Sequence, residues 1–307
     1  MRGFGLLSAV LWAARIASAE TVWIDTDVSI GSPIREVDDA YALVLAFHSP
    51  EVGIAGISTS YGNAPLGHTT KAARELVRRF GGPAGLNERH VVRGAGSAGE
   101  LGRPTEASEA LAKTLTNGVL TYIALGPLTN LATFVRLHPR EARRIERVIF
   151  VGGQEEGTTL RIGPKGFRIH DANVFKDPRA AAAVLAANIP LTAVPVATAS
   201  KLLLNRDDLE NLQRRGGSAG YLAGRSKVWL WFWRSIGGTD GGAIFDAVPV
   251  LEATRPELLS SEVRYAAMDD TGNLTVSRRP TAGARRIRFC TGFAPETKRV
   301  VMKRLLD

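Results

Sequence analysis

The sequence predicts an α/β fold, a mainly parallel sheet with helices on both faces and a small C-terminal elaboration. Three observations carry this. From Thr21 onward, short apolar runs alternate with longer segments of helical period, the pattern left by strands joined through crossover helices. The 307 residues are 45% hydrophobic, enough for a sizeable core. No internal repeat, low-complexity linker or clear boundary divides the chain, so residues 20–307 are expected to form one domain.

In chain order, the first apolar run predicts a strand over 21–24, followed by a helix over 38–47 that opens on Asp38-Asp39. Strands over 53–58, 90–93, 119–124, 148–151 and 190–194 alternate with helices over 68–80, 106–115, 129–137 and 178–187. Beyond Thr198 the rhythm changes: a helical stretch around 229–233, a glycine-rich stretch 237–242, a helix near 246–253, and strands over 263–268 and 274–277. In sheets of this kind ligands bind outside the carboxyl ends of the strands. The residues that follow each strand therefore carry the functional reading.

The first nineteen residues read as an export signal, with Arg2, an apolar run over 6–14 and the small-residue site Ala17-Ser18-Ala19 before Glu20. That run is too short to span a bilayer. A periplasmic or secreted chain starting at Glu20 is expected, with no membrane association after cleavage. The lone Cys290 forms no internal disulfide. The formal charge of +9 and pI near 10.0 come from scattered arginines, without a basic stripe interleaved with aromatics, which argues against nucleic-acid binding.

Asp25-Thr26-Asp27 ends the first strand and Asp38-Asp39 opens the next helix, so four carboxylates share one corner. Acids at a helix start also serve as caps and dipole partners. Like charges this close repel unless a cation neutralises them, and a hard, oxygen-ligated cation is implied. The spacing does not choose between calcium and magnesium. Asn63 follows the second strand and Thr129 the fourth, where it serves equally well as a helix cap; His170-Asp171-Ala172-Asn173, Asp177-Pro178 and Phe245-Asp246 come later.

In this order the motifs resemble those of the inosine-uridine-preferring nucleoside N-ribohydrolases. The likeness spans nearly all of the chain after residue 19: Asp25-Thr26-Asp27 with Asp38-Asp39-Ala40, Tyr61-Gly62-Asn63, residues 124–132, Val151-Gly152-Gly153, Asn173 with Asp177-Pro178, and Asp246. The resemblance implies a calcium ion held by Asp27, Asp39, the Thr129 carbonyl and Asp246, and ribose bound by Asp38, Asn63 and Asn173. Asp171 stands where the family usually has glutamate. It also implies hydrolysis of the N-glycosidic bond of ribonucleosides to ribose and free base, with a metal-bound water deprotonated by Asp27 attacking the anomeric carbon with inversion. Members of the family are often dimers or tetramers; no interface is visible in this sequence.

Two departures stand out. Residues 28–37 lengthen the spacer between Asp27 and Asp38 into an insertion with Gly31 and Pro33. Phe245 occupies a place where many members have a histidine that protonates the leaving base. Of the five histidines, His170 is the candidate acid, and Trp229, Trp231 and Trp233 offer either core packing or an aromatic wall for the base. Base preference is not legible. An exported nucleoside- or sugar-binding protein with impaired catalysis is the alternative, motivated by Phe245 and the insertion. Asp25-Thr26-Asp27-Val28 with Asp269-Asp270 also resembles the acidic motifs of haloacid-dehalogenase-type phosphohydrolases, and a purely structural calcium site is the simplest reading of the acids.

Overall fold

The computed structural model describes residues 19–31, 35–164 and 166–307. The export signal lies outside the described residues except for Ala19, as does part of the insertion, residues 32–34.

β1 (Glu20–Thr26), α1 (Asp38–Phe47), β2 (Val52–Thr59), α2 (Leu66–Phe80), β3 (Val91–Arg93), α3 (Glu106–Leu115), β4 (Leu120–Ala124), α4 (Thr129–Leu137) and β5 (Ile145–Val151) alternate as expected. Short strands β6 (Gln154–Glu155), β7 (Arg161–Ile162) and β8 (Phe167–Arg168) lead to α5 (Ala172–Lys176), α6 (Pro178–Ala186) and β9 (Leu191–Val194). After α7 (Val196–Ala199) and β10 (Leu203–Leu204) come three helices in series, α8 (Arg206–Arg215), α9 (Gly217–Arg225) and α10 (Lys227–Ser235). β11 (Gly242–Ala243), α11 (Ala247–Thr254), β12 (Leu259–Met268), β13 (Leu274–Ser277), β14 (Arg285–Phe293) and α12 (Thr297–Leu306) complete the chain.

Ten strands form one sheet in the order β3-β2-β1-β4-β5-β9-β14-β12-β13-β6. β14 pairs parallel to β9, β12 pairs antiparallel to both β14 and β13, and β6 pairs parallel to β13. β12 is thus the one strand of this sheet that runs against the rest. The last third of the chain does more than decorate the end, because β14 continues the parallel sheet directly. Between β1 and β4 the strand order reverses, making the topological switch point where such sheets open a crevice.

Side chains alternate across the sheet. Val22 and Ile24 enter an apolar cluster with α1, α2 and α11, whereas Trp23 enters a second cluster with α3, α4 and α6. α1 is buried at all ten positions, Asp38 and Asp39 included, so the helix that carries two of the acids is embedded in the core. No helix among the described residues is long and apolar enough to cross a membrane.

Candidate active site

The loops after β1 and β4 meet the start of α1 at the switch point, and there the acids separate into two groups. Asp25, still within β1, is a brace: its Oδ1 accepts hydrogen bonds from Ser58 Oγ at 2.6 Å and Asn130 Nδ2 at 2.8 Å, tying β1 to β2 and α4. Burial raises its pKa to about 7. Asp38, Asp39 and Asp246 bring one carboxylate oxygen each to within 4.8 Å of one another, all buried. Asp39 is locked in place, accepting from the Thr26 hydroxyl, from Asp27 N at 3.2 Å and from Asn63 Nδ2 at 3.2 Å. Asp38 Oδ1 is buried with no hydrogen-bond partner, and Asp246 heads α11 without a side-chain capping bond.

A buried carboxylate oxygen without a donor is costly, and here the neighbours are further carboxylates. Desolvation first, and then repulsion from the other acids, holds the pKa values of Asp38 and Asp246 well above the usual carboxylate range. Hard oxygen donors in this arrangement fit a divalent cation, which would cancel the repulsion, while the orphaned Asp38 oxygen is left to accept from a ligand hydroxyl.

Asp27 joins the cluster from its other side. Its Oδ2 accepts from Asn63 N at 2.7 Å and its Oδ1 faces Asn63 Nδ2 at 3.4 Å. The approach depends on Gly62, where an added Cβ would fall 1.7 Å from Asp27 Oδ2. Lys176, the last residue of α5, places its Nζ 3.6 Å from Asp27 Oδ2 and 3.5 Å from Asn63 Oδ1. The sequence reading missed this ammonium; its signal is a lysine directly before Asp177-Pro178. It neutralises part of the cluster and so competes with a cation. Lys176→Met is expected to tighten divalent-cation binding by roughly tenfold in calorimetry, since each 1.4 kcal/mol is a factor of ten; unchanged affinity would show that the ammonium does not compete.

The side chain of Thr129 turns to Asp177 rather than to the acid cluster. Thr129 is the first residue of α4, whose carbonyls point along the helix towards its C-terminus, and its hydroxyl donates to Asp177 Oδ2 at 2.7 Å. The Leu125 carbonyl, just after β4, accepts from Asn173 Nδ2 at 2.7 Å. Leu125, four residues before Thr129, lines the cavity described below, and Thr129 does not. Asp171 spends its carboxylate on backbone: Oδ2 accepts from Gly153 N at 2.6 Å and Oδ1 from Val174 N at 3.4 Å, capping α5. Burial raises its pKa to about 6.

A cavity of about 250 Å³ joins these groups. Asp38, Asn63, Leu125, Asn173 and Asp246 give it a polar lining, and Phe232, Trp233 and Phe245 an aromatic one. Trp233 packs on Phe245 at 5.8 Å between ring centroids, so it serves both the wall and the core, while Trp229 is a core residue against Tyr41. His170 lines the cavity but stacks on Phe175 at 4.8 Å. Glu36, from the insertion, also lines it and was not anticipated. A larger groove of about 900 Å³ beside α8 and α10 contains none of the site acids.

Buried carboxylates, amides beside them and an aromatic wall meet at the switch point of a mainly parallel sheet, an arrangement suited to a polyol joined to a planar ring and consistent with an N-glycosyl hydrolase. The chain belongs to the inosine-uridine preferring nucleoside hydrolase family, whose model matches residues 22–298. It is 26% identical over 283 residues to a probable uridine nucleosidase 2 of Arabidopsis thaliana, covering 84% of each chain. A pyrimidine-specific ribonucleoside hydrolase of Photobacterium profundum is 24% identical over 264 residues, covering 78% of this chain and 83% of that one. Among solved structures, a plant nucleoside hydrolase superposes with a TM-score of 0.76 at 23% identity, covering 93% of this chain and 97% of that one. The purine-preferring ribonucleoside hydrolase of Gardnerella vaginalis gives 0.77 at 19% identity, covering 94% and 98%.

Proposed function

We propose that the protein is an exported, calcium-dependent ribohydrolase that splits ribonucleosides into ribose and free base. The observation that carries this is the convergence of the Asp38, Asp39 and Asp246 oxygens within 4.8 Å beside Asn63 and Asn173, in a cavity that also has an aromatic wall. Asp27, Asp39, Asp246 and the Leu125 carbonyl are the residues that would hold the cation. Carboxylates with a backbone carbonyl suit the flexible oxygen shell of calcium better than the strict octahedron of magnesium. When bound, calcium supplies positive charge that orients the ribose diol and acidifies a nearby water.

The chain's own residues do the rest. Asp38, Asn63 and Asn173 bind ribose hydroxyls and fix the sugar against the floor of the site. As the bond from the anomeric carbon to the base nitrogen breaks, the sugar gains oxocarbenium character, which the surrounding carboxylates stabilise. Asp27, with Asn63 N aiming its carboxylate, accepts the proton of the attacking water; attack opposite the departing base inverts the anomeric centre. Phe245 has no proton to give, so its ring meets the leaving base only by stacking. Export is supported by residues 6–14 followed by Ala17-Ser18-Ala19.

Ribose release from a panel of purine and pyrimidine nucleosides is expected to require calcium, to stop on chelation and to be lost in Asp27→Ala. Binding without release from any nucleoside would replace this reading with that of a nucleoside-binding protein.

A further inference from the structure

The insertion brings into the cavity one acid that neither the cation cluster nor the ribose amides employ. Glu36 lines the cavity with Phe232, Trp233 and Phe245. Its position is built from both sides: Ser29 Oγ donates to the Glu36 carbonyl at 2.9 Å, closing the inserted loop on itself, and Trp229 Nε1 donates to Glu36 Oε2 at 2.7 Å. Trp229 is 3% exposed, so the tether is anchored in the core. One turn further along the same helix, α10 supplies Phe232 and Trp233 to the cavity. Carboxylate and aromatic wall are therefore one unit, held together by α10. Oε1 makes no hydrogen bond of ordinary length among the described residues, and Trp233 Nε1, buried without a partner, is the next donor directed at this carboxylate.

A nucleoside is a polyol joined to a planar base with a hydrogen-bonding edge. The acids and amides of the floor match the polyol, and the aromatic side chains match the faces of a planar ring. A carboxylate that already accepts from an indole N–H offers a further acceptor, and Phe232 and Phe245 beside it offer no polar group. A buried acceptor rewards a ligand that presents a donor and rejects one that cannot.

We infer that Glu36 is a specificity-determining residue that reads the base, its Oε1 accepting a hydrogen bond from an N–H on the base edge, so that nucleosides alkylated at that nitrogen are excluded. This rests on the ribohydrolase reading for the identity of the ligand. It gives the insertion a role: the loop that separates Asp27 from Asp38 equips the aromatic wall with its acceptor.

The test compares inosine with 1-methylinosine and uridine with 3-methyluridine, in the wild type and in Glu36→Gln, using the full chain with calcium. Glutamine keeps an oxygen for Trp229 Nε1 and turns its amide NH2 to the base, so the fold is retained while the acceptor is lost. For at least one pair the wild type is expected to favour the unmethylated member by roughly tenfold or more, carried in KM rather than kcat. Glu36→Gln is expected to bring that ratio to near unity. Equal use of both members of each pair by the wild type, or a preference that Glu36→Gln leaves intact, overturns the assignment, whereas a purely structural role would lower the rates of both members alike. If nothing is hydrolysed the ribohydrolase reading fails, and the same ratios read as Kd by calorimetry still decide the role of Glu36.

Discussion

Asp246→Asn is expected to abolish calcium binding in calorimetry and to lower kcat/KM by at least about a hundredfold, the scale of losing a preorganised charge in an active site. The same substitution is expected to raise the melting temperature of the calcium-free protein by a few degrees. The two effects share one cause. Asp246 makes no capping bond to α11 and faces Asp38 and Asp39 across a buried space, so its charge costs stability until a cation arrives. Removing it relieves repulsion on the order of 1 kcal/mol or more. A variant that lost activity but also melted lower without calcium would show that Asp246 supports the fold rather than the cation. Calcium itself is expected to stabilise the wild type and to leave Asp246→Asn unaffected.

Gly62→Ala tests the placement of Asp27, the proton acceptor of the proposed reaction, without touching an acid. The new methyl would lie 1.7 Å from Asp27 Oδ2 and 2.6 Å from Asp27 Cγ, so Asp27 must leave the position in which Asn63 N holds it. Displacing a reacting group by about 1 Å costs roughly 10²-fold in rate, and a drop of that size in kcat is expected. Gly67→Ala, where an added Cβ meets nothing within 4 Å, is the control and is expected to retain wild-type kcat. Equal kcat in both variants would remove Asp27 from the reaction.

The alternating half of the fold was legible because each of its elements answers to burial. Strands such as Leu120–Ala124 are buried along their whole length and read as apolar runs, and α1 announces itself by two acids ahead of eight buried apolar residues. The elements that escaped are those whose composition speaks against their structure. α8 buries only Leu209 and Leu212 among charged neighbours. α9 carries Gly217, Gly220 and Gly224, poor helix formers that tertiary packing overrides. β14 opens on Arg285, Arg286 and Arg288, yet its pairing with β9 and β12 makes it an interior strand.

At the site, Asp25, Asp27, Asp38 and Asp39 were legible as crowded charge, whereas Asp246, distant in sequence, was legible only through the family resemblance. What was not legible is which backbone atom faces inward. Leu125 and Thr129 stand four residues apart, after β4 and at the start of α4, and residue pattern does not separate their carbonyls. Lys176 and Glu36 were missed because each gains its meaning from a partner far along the chain, Asp27 for the one and Trp229 for the other.

The complete burial of α1 ties the site to the fate of the whole molecule. A helix enclosed on every side cannot fray or swing out while the remainder stays folded, so its amide protons exchange with solvent only when the core opens globally. Whatever occupies the carboxylates at its first turn is therefore linked to that global opening. The protein therefore has no inexpensive local route for releasing a ligand through α1.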